Sequence, residues 1–133
     1  MHKIIFTIIL TVSALWGGYT APLNIAGTTT IDSKIAYELY NKNVLFLDVR
    51  PTWMVQEQGK IKNALNYYVR SIDKNGLEKI ISTKNTPIVI YCNGIGCPLS
   101  EEAITKMLPL GYKNIYFYRD GYPAWKYYKL PVQ

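Results

Sequence analysis

The sequence predicts a single α/β domain: a central, mostly parallel sheet of about five strands with helices on both faces. Three observations carry that expectation. The 133 residues, 49% hydrophobic and 18% charged, suffice for one packed core and leave no room for a second. Short β-branched or aromatic runs alternate with segments of helical periodicity. Two of the runs, 44–49 and 87–91, are almost continuously apolar, as strands covered on both faces are.

Thr28-Thr29-Thr30-Ile31 is the first β-branched run. Asp32-Ser33 offers N-cap oxygens to a helix that carries Ile35, Ala36, Leu39 and Tyr40 on one face. Asn41-Lys42-Asn43 ends it, and 44–49 is the second strand. Pro51 stops that strand, so 51–63 reads as a short helix and loop, and 64–69 as another short strand. Leu77, Ile80 and Ile81 mark a helix before the turn at Lys84-Asn85. The run 87–91 leads straight into Cys92. After the loop, Ser100 offers a cap, with Glu101 and Glu102 in the first turn where acids suit the helix dipole. Ala103, Ile104, Met107 and Leu108 form that helix's apolar face, and Gly111 is its stop. Ile115-Tyr116-Phe117-Tyr118 is the last strand. Residues 121–130 form an aromatic-rich helix that closes the core with Trp125.

Ligands of open parallel sheets bind beyond the carboxyl ends of the strands. Three predicted strands end in chemistry: Asp48 with Arg50, then Cys92, then Arg119 with Asp120. They should share one rim.

Composition and the first residues set the context. Met1-His2-Lys3 is a short positive start, and 4–16 is apolar without a charge. Gly17-Gly18-Tyr19-Thr20-Ala21-Pro22 follows, small and turn-forming. We read 1–21 as a secretory signal and 22–133 as the domain. Export to the periplasm or the cell exterior follows from that, with an uncleaved tether through 4–16 as the alternative. The apolar run is shorter than the roughly 20 residues that cross a bilayer. Two cysteines are too few for a disulfide scaffold. The lone histidine is His2, so the domain cannot assemble a Cys/His zinc site, and no metal or cofactor is expected. Of fifteen basic residues twelve are lysines, and they are scattered; the net charge of +6 is therefore a solvated surface rather than a nucleic-acid footprint.

The loop Cys92-Asn93-Gly94-Ile95-Gly96-Cys97-Pro98-Leu99-Ser100 joins a buried strand to a helix start. Its two glycines let main-chain N–H groups turn inward, and the helix start adds a positive dipole end. A cysteine in such a cradle is stabilised as thiolate and becomes a nucleophile without a histidine base. The bland alternative is a small buried hydrophobe at a strand end.

These motifs, taken in order, resemble those of the single-domain rhodaneses, the sulfurtransferase family. The resemblance covers about residues 28–132. Leu47-Asp48-Val49-Arg50 is similar to the family's Asp-x-Arg after the second strand. Gly59-Lys60-Ile61-Lys62-Asn63-Ala64-Leu65-Asn66 is similar to its Gly-His-Ile-x-Gly-Ala-x-Asn, with Lys60 for His and Asn63 for Gly. Tyr91-Cys92, the glycine loop, Ser100 and Ala103 resemble its active-site strand, loop and helix. Gly121-Tyr122-Pro123-Ala124-Trp125 and Leu130-Pro131-Val132 resemble its closing motifs. The loop departs from the pattern in three ways. It is about two residues longer, Leu99 stands where an arginine precedes the serine, and Cys97 adds a second thiol. The missing arginine and the lack of a loop acid argue against a phosphatase, which clamps phosphate with that arginine. A Cys-Asn-Gly-x-x-Cys loop with an export signal resembles an exported subgroup of the family.

The resemblance implies a Cys92 thiolate that takes the outer sulfur of a small anionic donor and passes it to a thiol acceptor. The acceptor could be an exported redox or sulfur-carrier protein. Arg119 is the candidate for the charge missing at Leu99, with a surface salt bridge as its alternative; Asp48 and Arg50 read as a pair holding the rim. Two other functions compete: a thiol-disulfide redox protein using Cys92 and Cys97, and a non-catalytic anion- or protein-binding module.

Overall fold

In the computed structural model, which describes residues 17–133, five parallel strands form one sheet in the order β1-β5-β4-β2-β3. They are β1 (Thr28–Ile31), β2 (Leu45–Asp48), β3 (Leu65–Asn66), β4 (Ile88–Tyr91) and β5 (Ile115–Tyr118). Five α-helices are described: α1 (Ser33–Asn41), α2 (Thr52–Gln58), α3 (Lys74–Ile80), α4 (Leu99–Met107) and α5 (Gly121–Tyr127).

The period of two along a strand divides the core. Ile88, Ile90 and Cys92 enter one cluster with Leu77, Ile81, Ala103 and Met107; these come from α4, α3 and the residue after α3. Val89 and Tyr91 enter a second cluster with Ala36 of α1 and Trp125 of α5. Every residue of β4 is buried, which explains its uninterrupted apolar sequence. Trp125 is enclosed by Tyr40, Phe46 and Tyr118, with ring centroids 5.3 to 6.3 Å away, and its Nε1 donates to Pro131 O at 2.7 Å. That pairing satisfies the one polar atom of the largest core side chain.

Local chemistry accounts for most boundaries. Asp32 caps α1 by accepting from Ile35 N–H at 2.9 Å, and Asp73 caps α3 by accepting from Gly76 N–H at 2.6 Å. Gly111, at φ +96°, closes a 3-10 turn that extends α4.

Three expectations need correction. The strand expected at 64–69 pairs with β2 only through Leu65 and Asn66. The chain then stays bonded to 48–49, with Tyr67 N–H to Asp48 O at 2.9 Å and Val69 N–H to Val49 O at 3.2 Å, before a 3-10 turn at Val69–Ser71. Ser100 is not a helix cap: α4 begins one residue earlier, after Pro98, and no side chain caps it. The last helix ends at Tyr127, since Lys129 adopts φ +55° and Leu130 N–H returns to Trp125 O.

Among the described residues, no helix is long and apolar enough to cross a membrane. The expected signal falls mostly on residues 1–16, which lie outside the described residues. Tyr19 and Ala21, among the first described residues, pack on the domain.

Candidate active site

Strands β2, β4 and β5 are neighbours and parallel, so Asp48, Cys92 and Arg119 emerge at one edge of the sheet. Cys92 follows the last residue of β4, and its Sγ lies under the start of α4. The Ser100 main-chain N–H donates to Cys92 Sγ at 3.4 Å. When protonated, Sγ in turn donates to Cys97 O at 3.5 Å. The loop is folded by a Cys97 N–H to Gly94 O bond of 3.0 Å, and its base is tied to α5 by Tyr122 N–H to Cys92 O at 3.0 Å.

Two glycines make this possible. Gly94 turns the chain at φ +97°. Gly121, at φ +64°, brings the start of α5 against the loop: a Cβ there would sit 2.5 Å from Cys92 O and 2.7 Å from Gly94 N. Gly96 does not adopt a left-handed conformation, contrary to the expectation that both loop glycines curl the chain. The turn at Cys97 closes on Gly94 O and needs only one such residue.

Cys92 and Cys97 are both free thiols and both buried. Burial opposes ionisation of Cys92. Hydrogen bonds from the Cys97 thiol, the Ser100 hydroxyl and the N–H groups of Ser100 and Asn93 outweigh it, and the pKa falls below the ordinary thiol value. Ser100 Oγ is buried with no hydrogen-bond partner, near enough to Cys92 to favour its thiolate. Cys97 moves the opposite way: burial, its bond to Cys92 and the charge there push it up and keep it a neutral donor. This division of labour is testable. The rate of Cys92 alkylation by iodoacetamide should rise with pH through a midpoint below that of an ordinary thiol. Cys97→Ala should move that midpoint upward, and Cys97→Ser, which keeps a donor, should move it less.

The other loop residues have plainer places. Asn93 contributes main chain to the thiolate, and Ile95 is exposed at the loop's apex. Pro98 precedes α4, and Leu99, where the motif comparison expects an arginine, is buried in the apolar cluster.

Of the rim charges, Asp48 and Arg50 are the expected pair and only Arg119 requires correction. Asp48 and Arg50 are fully buried and bound to each other: Nη2 to Oδ2 at 2.7 Å, Nε to Oδ1 at 3.0 Å. Arg50 also donates to Gly59 O at 2.7 Å and lies 4.3 Å over the Tyr122 ring. It is a brace and has no free face for an anion. Arg119 forms neither a free anion site nor a salt bridge with Asp120. Its Nη2 and Nε donate to Ala21 O at 2.9 and 3.2 Å, and Nε also reaches Pro22 O at 3.0 Å. Main-chain carbonyls 97 and 98 residues away hold it.

Sequence reasoning gave no site role to Tyr122 and Gly121, whose main chain holds the loop from below, or to Tyr19 and Ala21, which border it. Tyr122 looked like a core aromatic, and the residues before 22 looked like leader; only the positive φ and close approach at Gly121 distinguish it from an ordinary turn glycine.

The described site can hold one sulfur anion on main-chain dipoles, with a second, neutral thiol beside it. Residues 33–127 match the model of the rhodanese-like domain. No curated protein sequence matches the chain. Solved structures share the architecture. A rhodanese-related protein from Thermoplasma volcanium is 24% identical, with 79% of this chain and 97% of that one covered and a TM-score of 0.63. The polysulfide-sulfur transferase homodimer of Wolinella succinogenes is 22% identical, with 99% and 90% covered and a TM-score of 0.64. EanB, in a complex where ergothioneine is covalently linked with a persulfide cysteine, is 21% identical over 80% of this chain and 28% of that one, with a TM-score of 0.66.

Proposed function

The chain belongs to the rhodanese-like domain family, and from that premise we propose that it is an exported sulfurtransferase carrying sulfane sulfur as a persulfide on Cys92. The observation that carries the reading is the Ser100 N–H aimed at Cys92 Sγ, together with the lowered thiol pKa it helps to cause. Backbone donors of this kind are preorganised and cost no rearrangement as charge arrives. Export rests on the charged start and the apolar run at 4–16.

In the first half-reaction the Cys92 thiolate attacks the outer sulfur of an anionic donor such as thiosulfate. The donor's S–S bond breaks and its electron pair leaves with sulfite. The new terminal sulfur bears the negative charge. In the second half-reaction an acceptor thiolate attacks that sulfur, the Cys92–S bond breaks, and the Cys92 thiolate returns. The Wolinella polysulfide-sulfur transferase and the EanB persulfide complex support such chemistry on this fold. Leu99 leaves the loop without a fixed cation, so charge stabilisation falls to the N–H groups and the helix start.

The experiment is mass spectrometry of the full chain after exposure to thiosulfate or polysulfide. A gain of about 32 Da, located by fragmentation to Cys92 rather than Cys97, is the expected outcome. Its absence in protein whose Cys92 still reacts with an alkylating agent would reject sulfur transfer. One observation favours a second reading, thiol-disulfide exchange: Cys97 is a second buried free thiol in the same loop, its main-chain carbonyl 3.5 Å from Cys92 Sγ.

A further inference from the structure

We infer that residues 19–22 form an autoinhibitory strap over the Cys92 loop, latched by Arg119, and that the same guanidinium serves an anionic donor once the strap leaves. The inference rests on Cys92 as the reactive thiol and adds the regulation of that site.

The strap touches the loop, the first turn of α4 and the residue after β5. Ala21 N–H donates to Ile95 O at the loop's apex, 2.6 Å away. Tyr19 OH donates to Glu101 Oε2 in the first turn of α4 at 3.1 Å. Arg119, just past β5, grips the carbonyls of Ala21 and Pro22. The Ala21 methyl is buried in the same cluster as Cys92 and Cys97, and Tyr19 packs on that cluster. Cys92 itself is only 3% exposed, so a donor has no direct path to its sulfur.

The strap is also built to leave. It has no regular secondary structure, follows the exposed Gly17 and Gly18, and buries one methyl group and parts of Tyr19 and Pro22. Segments with so few apolar contacts open at a small fraction of the global unfolding cost. The latch has the same character. Arg119 is satisfied by neutral carbonyls, and a guanidinium binds an ionised acceptor about twice as strongly. An anionic donor therefore competes with the strap for Arg119. It displaces the cover and gains the cation that Leu99 does not supply. The strap connects 4–16 to β1, so a cut after Ala21 removes it and a cut ahead of Tyr19 leaves it in place.

The test reads access to Cys92 without requiring sulfur transfer. In the full-length chain, alkylation of Cys92 by neutral iodoacetamide and by anionic iodoacetate is followed by mass spectrometry with fragmentation. Ala21→Gln places a longer polar side chain where only a methyl fits, and Arg119→Gln removes the latch. Both should speed the iodoacetamide reaction about ten-fold or more, equivalent to about 1.4 kcal/mol of opening. Iodoacetate should gain more in Ala21→Gln, where the guanidinium is free, than in Arg119→Gln. Ala21→Gln lies outside the sheet, so it carries the test even if Arg119→Gln does not fold. An iodoacetamide rate in Ala21→Gln within about two-fold of the parent, with thermal unfolding unchanged, overturns the strap. Equal iodoacetate gains in both variants overturn the role of Arg119 toward anions. Faster alkylation without any persulfide on Cys92 leaves the strap standing and removes sulfur transfer instead.

Discussion

Replacing Arg50 with leucine should cost the folded state about 3–5 kcal/mol, the penalty for stranding one member of a buried ion pair. Domains of this size have roughly 5–15 kcal/mol to lose, so much of the stability goes with one side chain. The reason lies in what the guanidinium holds. It neutralises the fully buried Asp48, satisfies Gly59 O at the end of α2, and lies on the Tyr122 ring. Leucine leaves the Asp48 carboxylate with the Arg50-position main-chain N–H, 3.1 Å away, and little else. The damage should reach the active site, since Tyr122 N–H is the bond that ties Cys92 O to α5. A urea titration would show a lower midpoint with an unchanged slope. Asp48→Leu combined with Arg50→Met should recover most of the loss, because burying neither charge avoids the desolvation cost. A single-variant loss below about 1 kcal/mol would mean that water reaches this pair and that it is no brace.

The second large effect concerns the thiols. Cys92→Ser should abolish the gain of about 32 Da after thiosulfate or polysulfide, whereas Cys97→Ser should keep part of it. A hydroxyl at 92 is far too weak an acid to present the anion that the Ser100 and Asn93 N–H groups are arranged to receive. Serine at 97 still donates a hydrogen bond, so the Cys92 thiolate survives with less support. Thiol-disulfide exchange makes the opposite forecast: both single variants fail alike, and the oxidised parent is lighter by about 2 Da. The two patterns cannot both occur.

Much of the architecture was legible because its causes are local. The runs 44–49 and 87–91 had to be central strands, since nothing polar could tolerate both faces covered, and β2 and β4 are those strands. The N-cap Asp32 and the stop at Gly111 act within a turn of themselves, and both function as expected. Failures arose where a distant partner overrode a local preference. Ser100 has the chemistry of a cap, yet its place in the first turn of α4 turns its main-chain N–H to a sulfur eight residues earlier. Residues 64–69 have strand propensity, yet their register with β2 ends after Leu65 and Asn66, and Val69 N–H instead meets Val49 O as the chain enters a 3-10 turn.

By itself, then, the amino-acid order determined an α/β domain with a cysteine at the carboxyl end of its middle strand, because hydrophobic period and strand-end position are properties of neighbouring residues. The state of that cysteine was decided by tertiary structure. Arg50 and Arg119 carry the same charge and stand at the same rim, but one is consumed by a buried carboxylate and the other by carbonyls from the far end of the chain. Charge and hydrogen-bond capacity are written in the sequence; which partner claims them depends on what folding brings within 3 Å, and no local pattern encodes that distance.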